Sequence, residues 1–514
     1  MKKSPGPILL AVLLFALIAP AACQDFAQGI VYNDANLNRA RDPGEKGIAG
    51  VRVSNGRVIV QTDSSGAYRL PVDDDTIIFV TKPRGWMNPV DANNHPQFYY
   101  VHKPKGSPPQ KYKGVDPTGP LPESVDFPLF KREEPDRFKA IFFGDTQPSS
   151  KASVFTLGHD IVEELVGADA AFGVTLGDVV GDSLALYEDV AAAHGLIGIP
   201  WYYVKGNHDT NYDGRPYHHL TAETWARVFG PPYFSFDYGP VHFVVLNNPY
   251  YEHDGRYTAE LDFRQKLWLR RDLEFVPKDQ LIVFMMHIPI HWMLDRAEVF
   301  QLFQDRPNTF SISGHTHTLY QVFCGEAHGW KGPQPHHHLI NGAACGAWWR
   351  GAPDEVGQPH STGADGTPNG YTIASFDAAA YSFRYKAARR PADYQMNIFA
   401  PEEVPSADTG ATDVVANVFA GSPMSKIEMK LGDGPWVEMS RVAEPDPYYL
   451  RIKELEDKLT KPLLWRAVQA PGNSAHIWKA KLPAGVPPGT YLIHVRSKDV
   501  FGQTDIGRRV IYVR

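Results

Sequence analysis

The sequence predicts a layered α/β domain set between two β-rich segments. Three observations predict it. From about residue 138 to 390, apolar runs of strand length alternate with segments of helical period. On either side, short alternating runs are broken by turn residues. The chain also has 514 residues, more than one hydrophobic core of roughly 250–300 residues accommodates.

Taken in order, the chain opens with an export signal. Lys2 and Lys3 precede the short apolar run Ile8 to Ala19, and Ala19-Pro20-Ala21 is a small-residue cleavage site, so residues 1–22 read as a signal peptide. The expected destination is periplasmic or extracellular. Cys23 follows Ala21-Ala22 and is placed for lipid modification, although Pro20 stands where a lipoprotein signal carries Leu. A membrane partner is expected only if Cys23 is lipidated. Residues 24–130 read as a β-sandwich: Val51 to Ser54 and Val58 to Gln61 are broken by Asn55-Gly56, and Thr62 to Gly66 turns the chain before Ala67 to Leu70. Pro104 to Pro122 is a loop.

Residues 136–390 form the α/β part. Val154, Leu157, Ile161 and Leu165 share a helical face, as do Phe263, Leu267 and Arg270. Residues 391–514 return to β character, with Tyr491, Ile493 and Val495 alternating, a helix at Pro447 to Leu459, and a closing strand at Arg509 to Arg514.

Charge narrows the function classes. The net charge is -7 with 20 His counted as neutral, which argues against a nucleic-acid backbone as partner, since that requires clustered positive charge. Three Cys, at 23, 324 and 345, do not force a disulfide framework. After export Cys324 and Cys345 are able to pair; two buried thiols fit equally.

The chemistry lies in one recurring arrangement. Ala140 to Phe143 leads into Gly144-Asp145-Thr146-Gln147. Phe172 to Leu176 leads into Gly177-Asp178-Val179-Val180-Gly181-Asp182. Trp201 to Val204 leads into Gly206-Asn207-His208-Asp209. Leu281 to Met286 leads into His287, and Phe310 to Ser313 into Gly314-His315-Thr316-His317. Ligands of open α/β sheets bind beyond the carboxyl ends of strands, where all five polar turns are delivered. Glycine before the polar residue in four of the five allows a tight turn. Imidazole with carboxylate oxygen suits Zn, Fe, Mn, Co or Ni. Six or seven such groups exceed the three or four protein ligands of one catalytic zinc. The surplus points to two divalent or trivalent transition-metal ions sharing a carboxylate, about 3.5–4 Å apart.

These five ordered motifs resemble those of the calcineurin-like metallophosphoesterase family, over roughly half the chain. The resemblance implies a four-layer α/β/β/α sandwich flanked by two β-rich domains, and hydrolysis of phosphate esters, mono- or diesters, by a hydroxide held between two metals. By that resemblance Asp178 bridges the ions, Asp145 and His317 complete one, and Asn207, His287 and His315 the other. His208 contacts the phosphate and assists the leaving group, with Asp209 orienting it. Gln147 stands where many members carry His; its amide oxygen is a harder, weaker ligand, and some branches of the family share it. The expected substrate is a small phosphorylated molecule, whether nucleotide, sugar phosphate, phospholipid head group or inositol phosphate. The alternative is an exported binding or surface protein that keeps the fold without catalysis.

Further residues are candidates. A helix N-cap accounts for Asp182 as well as a site role does, and Asp209 is likewise either the orienting partner of His208 or only a cap or a support behind the ligands. Asn247 and Asn248 follow the strand Phe243 to Leu246 at the same edge. The Gly-rich loop from Gly342 to Gly370 carries Trp348 and Trp349, able to stack on a sugar or base, and Arg350, able to clamp a second phosphate; packing against a flanking domain is the competing account. His336-His337-His338 reads as a surface tract with His336 and His338 on one face. Asp34, Asn36, Asn38, Asp42 and Glu45 have the alternating oxygens of a calcium loop, and an Asx-rich turn accounts for the same residues.

Overall fold

The computed structural model describes residues 25–215 and 217–514; the predicted export segment and Cys23 lie outside the described residues. Among the described residues, no helix is long and apolar enough to cross a membrane.

Two mixed sheets lie face to face at the centre. The first runs Trp201–Tyr203, Phe172–Thr175, Arg137–Phe143, Gly370–Asp377, Ala380–Ala387; its first three strands are parallel. The second runs Phe234–Tyr238, Val241–Val245, Leu281–Met285, Thr309–Ser313, His336–Ile340, Tyr320–Cys324, with parallel pairing from Val241–Val245 through His336–Ile340. Strand alternation sorts the side chains. Phe138, Ala140 and Phe142 point between the sheets and meet Phe236, Phe243 and Phe376. Ile141 and Phe143 point outward onto Val154, Leu157, Ile161, Tyr187 and Val190. The helices Lys151–Leu157 and Tyr187–Gly195 cover the first sheet. Phe263–Glu274 and Arg296–Gln301 pack with the second, through Trp268, Leu273 and Phe300. The four layers are α/β/β/α, as the motifs imply.

Local expectations need adjustment at three places, and the cysteine alternative is decided. The helical run from Val154 to Leu165 is buried at all four predicted positions, but after Leu157 it widens through Gly158–Val162 and tightens at Glu163–Leu165. In Phe263–Glu274 the buried stripe is Gln265, Trp268, Leu269, Asp272 and Leu273, while Phe263 is 80% exposed. Asp262 caps this helix by accepting from the Gln265 N–H, which leaves Phe263 in the first turn, facing outward. The His336–His338 tract is buried, contrary to the surface reading, because its strand is inside the second sheet. His336 and His338 do share a face, where they meet Thr309, Ser311 and Ser313 of the neighbouring strand at 2.7–3.0 Å. His337 bonds Tyr381 and Gln321, both at 2.9 Å. Cys324 and Cys345 are free buried thiols, so no disulfide joins them.

Residues 25–131 form two four-stranded sheets around Val31, Val53, Leu70, Ile78 and Phe127. Arg52 docks them on the centre, with its guanidinium 2.8 Å from Asp237 and 3.3 Å from Asp272. Residues from 396 onward form a four-stranded and a five-stranded sheet around Val414, Ile427, Trp478 and Ile493, with the helix Pro447–Asp457 between strands.

Candidate metal centre

The five polar turns converge. The strands Arg137–Phe143, Phe172–Thr175 and Trp201–Tyr203 of the first sheet deliver Asp145, Asp178 and Asn207; Leu281–Met285 and Thr309–Ser313 of the second deliver His287, His315 and His317. Asp178, His287 and His315 each place a ligand atom within 4.8 Å of the other two. Glycine is required where the turns approach each other. A Cβ on Gly177, whose φ is +92°, would meet Nδ1 of His287 at 2.4 Å, and one on Gly206 would meet the Asp178 nitrogen at 2.1 Å. The polar residues themselves are strained: Gln147, Asp178, Asp182, His315 and His317 all have positive φ.

The hydrogen bonds show what the cluster is built to hold. Nδ1 of His287 donates to the Leu176 carbonyl at 2.9 Å, so in the neutral ring Nε2 carries the lone pair. That lone pair faces Asn207 Oδ1 at 3.0 Å, His315 Nδ1 at 3.1 Å and Asp178 Oδ2 at 3.2 Å. Beside it, His317 donates Nδ1–H to the Gly346 carbonyl at 2.6 Å and turns Nε2 toward Asp145 Oδ1 at 3.6 Å. Asp145 is fully buried; its Oδ2 accepts the His315 N–H at 2.8 Å, and its Oδ1 has no hydrogen-bond partner. Two groups of converging acceptors with one orphaned buried carboxylate oxygen fit cations.

Electrostatics agree. Burial pushes Asp145 above the usual carboxylate range. Burial also opposes the charge on Asp178, but His287 and His208 hold it well below that range. Burial lowers His315 to about 3, keeping the ring neutral. His287 is raised to about 9 by Asp178 and Asp145 against the cost of burial, so with no ion bound the ring itself takes up the positive charge these carboxylates favour.

His208 stands at the rim, one-third exposed, with Nε2 4.0 Å from Asp178 Oδ2. Its orienting partner is Asp182, whose Oδ1 lies 2.6 Å from Nδ1 and also accepts from the Tyr212 hydroxyl. Two readings that the sequence leaves open are thereby decided. Asp182 is not a helix cap, since Ser183 precedes the following turn without a side-chain cap. Asp209 does not orient His208: it is buried and accepts backbone N–H groups from Gly206 at 2.9 Å, Val179 at 3.0 Å and Val180 at 3.3 Å, tying two loops together. Burial and Asp178 raise it to about 6. The signal for Asp182 was present, four residues after Asp178 in one turn; nothing local marked Tyr212.

Gln147 reaches the cluster, but its Nε2 donates to Asp178 Oδ2 at 2.9 Å and its oxygen faces the Cys345 thiol at 4.0 Å. In this arrangement it steadies the Asp178 carboxylate. Asn248 is buried and clamps the Ile288 backbone, donating at 2.7 Å and accepting at 3.1 Å, so it braces the turn after His287 and does not face a substrate. Trp349 packs inward and donates Nε1–H to the Thr146 carbonyl at 2.9 Å. Trp348 stacks on His317, ring centres 4.0 Å apart, with the Arg350 guanidinium 5.7 Å from its own ring. In the Asp34 to Glu45 loop the oxygens are committed internally. Asp34 accepts from the Asn38 and Arg39 N–H groups, Glu45 from those of Ala35 and Asp42, and Asp42 from the Asn36 and Asn38 amides, the pattern of an Asx-rich turn.

Comparison with known proteins places this geometry. A family model described as calcineurin-like phosphoesterase matches residues 138–319, and models described as the N terminal and the C terminal of calcineurin-like phosphoesterase match 36–113 and 338–504. The chain is 37% identical over 95 residues to the human (Homo sapiens) serine/threonine-protein phosphatase CPPED1, covering 18% of this chain and 29% of that protein. To the Pongo abelii protein of the same name it is 34% identical over 94 residues, with the same coverage of 18% and 29%. The chain thus spans under a third of the length of the curated relatives it matches. Among solved structures, one titled as the structure of PhoD aligns at 10% identity and TM-score 0.36, covering 70% of this chain and 85% of that one. A purple acid phosphatase, PPD1 of yellow lupin (Lupinus luteus), aligns at 13% identity and TM-score 0.37, covering 70% and 71%.

Proposed function

Since the chain belongs to the calcineurin-like phosphoesterase family, we propose that it is an exported, metal-dependent hydrolase of phosphate esters, acting on small phosphorylated molecules. The observation that carries the reading is the inward turn of ligand atoms: His287 Nε2 lies 3.0–3.2 Å from Asn207 Oδ1, His315 Nδ1 and Asp178 Oδ2, next to the orphaned Asp145 Oδ1.

Asp178, Asn207, His287 and His315 would hold one ion, and Asp145 and His317 a second, with Asp178 between them. Ions bound there supply Lewis acidity, bringing the pKa of water toward 7 and offsetting charge on phosphoryl oxygens. The remaining work is done by side chains. His208 extends Nε2 over Asp178 toward the departing oxygen and carries the proton it needs. Asp182, steadied by Tyr212, fixes the tautomer and direction of that ring. Gln147 holds the Asp178 carboxylate in place.

The rim beside His315 is lined by aromatic rings. Trp292, 48% exposed, and Tyr257, 40% exposed, stand edge-on to His315 with ring centres at 6.0 Å and 6.4 Å. Such a lip favours an ester whose alcohol is planar and apolar on at least one face. The test is hydrolysis of mono- and bis-nitrophenyl phosphate by the full chain after metal stripping and add-back of Mn, Zn, Fe and Ni. Metal-restored turnover is expected; a fully loaded protein inert toward both esters and toward nucleotides would end the proposal.

A further inference from the structure

His476 belongs to the strand Asn473–Lys481 of the C-terminal sheets, yet it is fully buried against the loop that closes the metal centre. Its Nδ1 lies 2.6 Å from Asn417 Oδ1. The Asn417 amide nitrogen is already committed to Asp446 Oδ2 at 2.7 Å and the Asp365 carbonyl at 3.1 Å, so Nδ1–H of His476 is the donor. On the other side of the ring, Nε2 is 3.2 Å from both Asp365 Oδ2 and Thr367 Oγ1; it donates to the carboxylate when the ring carries both protons and accepts from the Thr367 hydroxyl when it carries one. Asp365 is 2% exposed and passes this contact on, since its Oδ2 accepts the Leu319 N–H at 3.0 Å.

Leu319 lies two residues beyond His317. The turn it ends is strained, with φ of 76° at His315 and 55° at His317. Left-handed backbone at non-glycine residues costs on the order of 1–3 kcal/mol each and persists only where the surroundings over-determine it. Three anchors do so. Asp145 Oδ2 holds the His315 N–H at 2.8 Å, the Gly346 carbonyl holds the His317 ring at 2.6 Å, and Asp365 holds the Leu319 N–H. Two of the three belong to the centre and its own loop. The third is set by His476, from a different domain.

We propose that His476 is a positioning residue for the His315–His317 turn, so that the C-terminal domain sets how tightly the ion assigned to Asp145 and His317 is bound. This rests on the reading of those side chains as metal ligands. Partners behind ligands of this kind change metal affinity by about 10–100-fold when removed.

The experiment is calorimetric titration of the metal-stripped full chain with Mn²⁺. Two sites are expected in the parent protein. In His476→Ala one affinity falls by about 10–100-fold and the other holds within a few-fold. His476→Gln, whose amide reaches the position of Nε2, restores the affinity; His476→Asn, which imitates only Nδ1, does not. Should His476→Ala fail to fold, Asp365→Asn tests the same link and is expected to weaken the same site. Gln321→Ala removes a separate contact with the C-terminal domain, the 2.6 Å bond to the Ala420 carbonyl, and serves as the control: it lowers the melting temperature and leaves both affinities in place. Parent-like affinities in folded His476→Ala or Asp365→Asn, or an equal loss in Gln321→Ala, would overturn the proposal while leaving the metal-centre reading intact. A parent protein that binds no Mn²⁺ would end both.

Discussion

Nδ1 of His208 lies 2.6 Å from Oδ1 of Asp182, and the ring is thereby aimed with its second nitrogen over Asp178. The pair joins the end of one loop to the start of another, and the Tyr212 hydroxyl locks it from the side.

The first prediction follows from that pair. His208→Ala should lose about 10²–10⁴-fold in kcat, the usual scale for proton transfer in catalysis, with bound metal unchanged. The loss should be greater for an alkyl phosphate than for nitrophenyl phosphate, because nitrophenolate leaves with little need of a proton. Asp182→Asn should show the same substrate dependence at smaller size. Kinetics on the two ester classes beside metal analysis decide it, and equal losses on both classes would remove the proton-donor role.

Gln147 and Asp178 offer a contrast. Asp178 Oδ2 lies 3.2 Å from His287 Nε2 and is the carboxylate proposed to serve both ions, whereas Gln147 meets only Asp178 among the proposed ligands. Asp178→Asn should therefore empty both sites, while Gln147→Ala should weaken Mn²⁺ binding by no more than about 10-fold, the lower end of a supporting contact. Elemental analysis after dialysis reads the first, and calorimetry the second.

The junction between the N-terminal sandwich and the centre should respond to pH. His242 is buried between Asp237 at 2.6 Å and Asp272 at 2.8 Å, and Arg52 reaches both carboxylates. Burial opposes every charge here, but the partners win: His242 is raised above 6.5, and Asp237 and Asp272 are lowered below 3.8. The His242 contribution is fully present below pH 6.5 and is lost as pH rises through its raised value. The carboxylate contributions are present above pH 3.8 and are lost as pH falls through their lowered values. Thermal unfolding should show this network at full strength between those two limits. Arg52→Ala should cost about 3–5 kcal/mol there by leaving buried carboxylates short of a cation. A melting temperature insensitive to Arg52→Ala across that window would contradict it.

The aromatic lip gives a specificity test. Trp292→Ala should raise KM for nitrophenyl phosphate by about 5–30-fold, one stacked ring being worth roughly 1–2 kcal/mol, and should change KM for glycerol phosphate far less. Similar shifts for both esters would remove Trp292 from substrate recognition.

Much of the centre was legible because its signal is local. Each ligand candidate directly follows a strand whose alternation is plain, as in Phe138, Ala140 and Phe142 before Asp145. What the sequence hides depends on a distant partner. Nothing near His336 to His338 announces that Thr309, Ser311 and Ser313 stand opposite them on the next strand. Asn248 looks like a residue at the functional edge until the Ile288 backbone fills both ends of its amide. The buried stripe of the helix that begins at Phe263 is set by Trp268 and Leu273 meeting the second sheet, not by the first apolar residue after the cap. The partner of His208 is hidden for the same reason: adjacency in the motif suggests Asp209, and only the folded loops bring Asp182 to the ring.

Gln147, Asp178 and His317, each in left-handed backbone, sit on separate loops that follow different strands. Torsional strain is thus divided between the Gln147–Asp178 pair, tied by the Gln147 N–H to the Asp178 carbonyl at 3.0 Å and by the side-chain bond at 2.9 Å, and His317, which is held separately on the Gly346 carbonyl. Chelation should then proceed in two resolved stages, with the ion beside Asp145 departing first and a half-loaded species persisting at intermediate chelator.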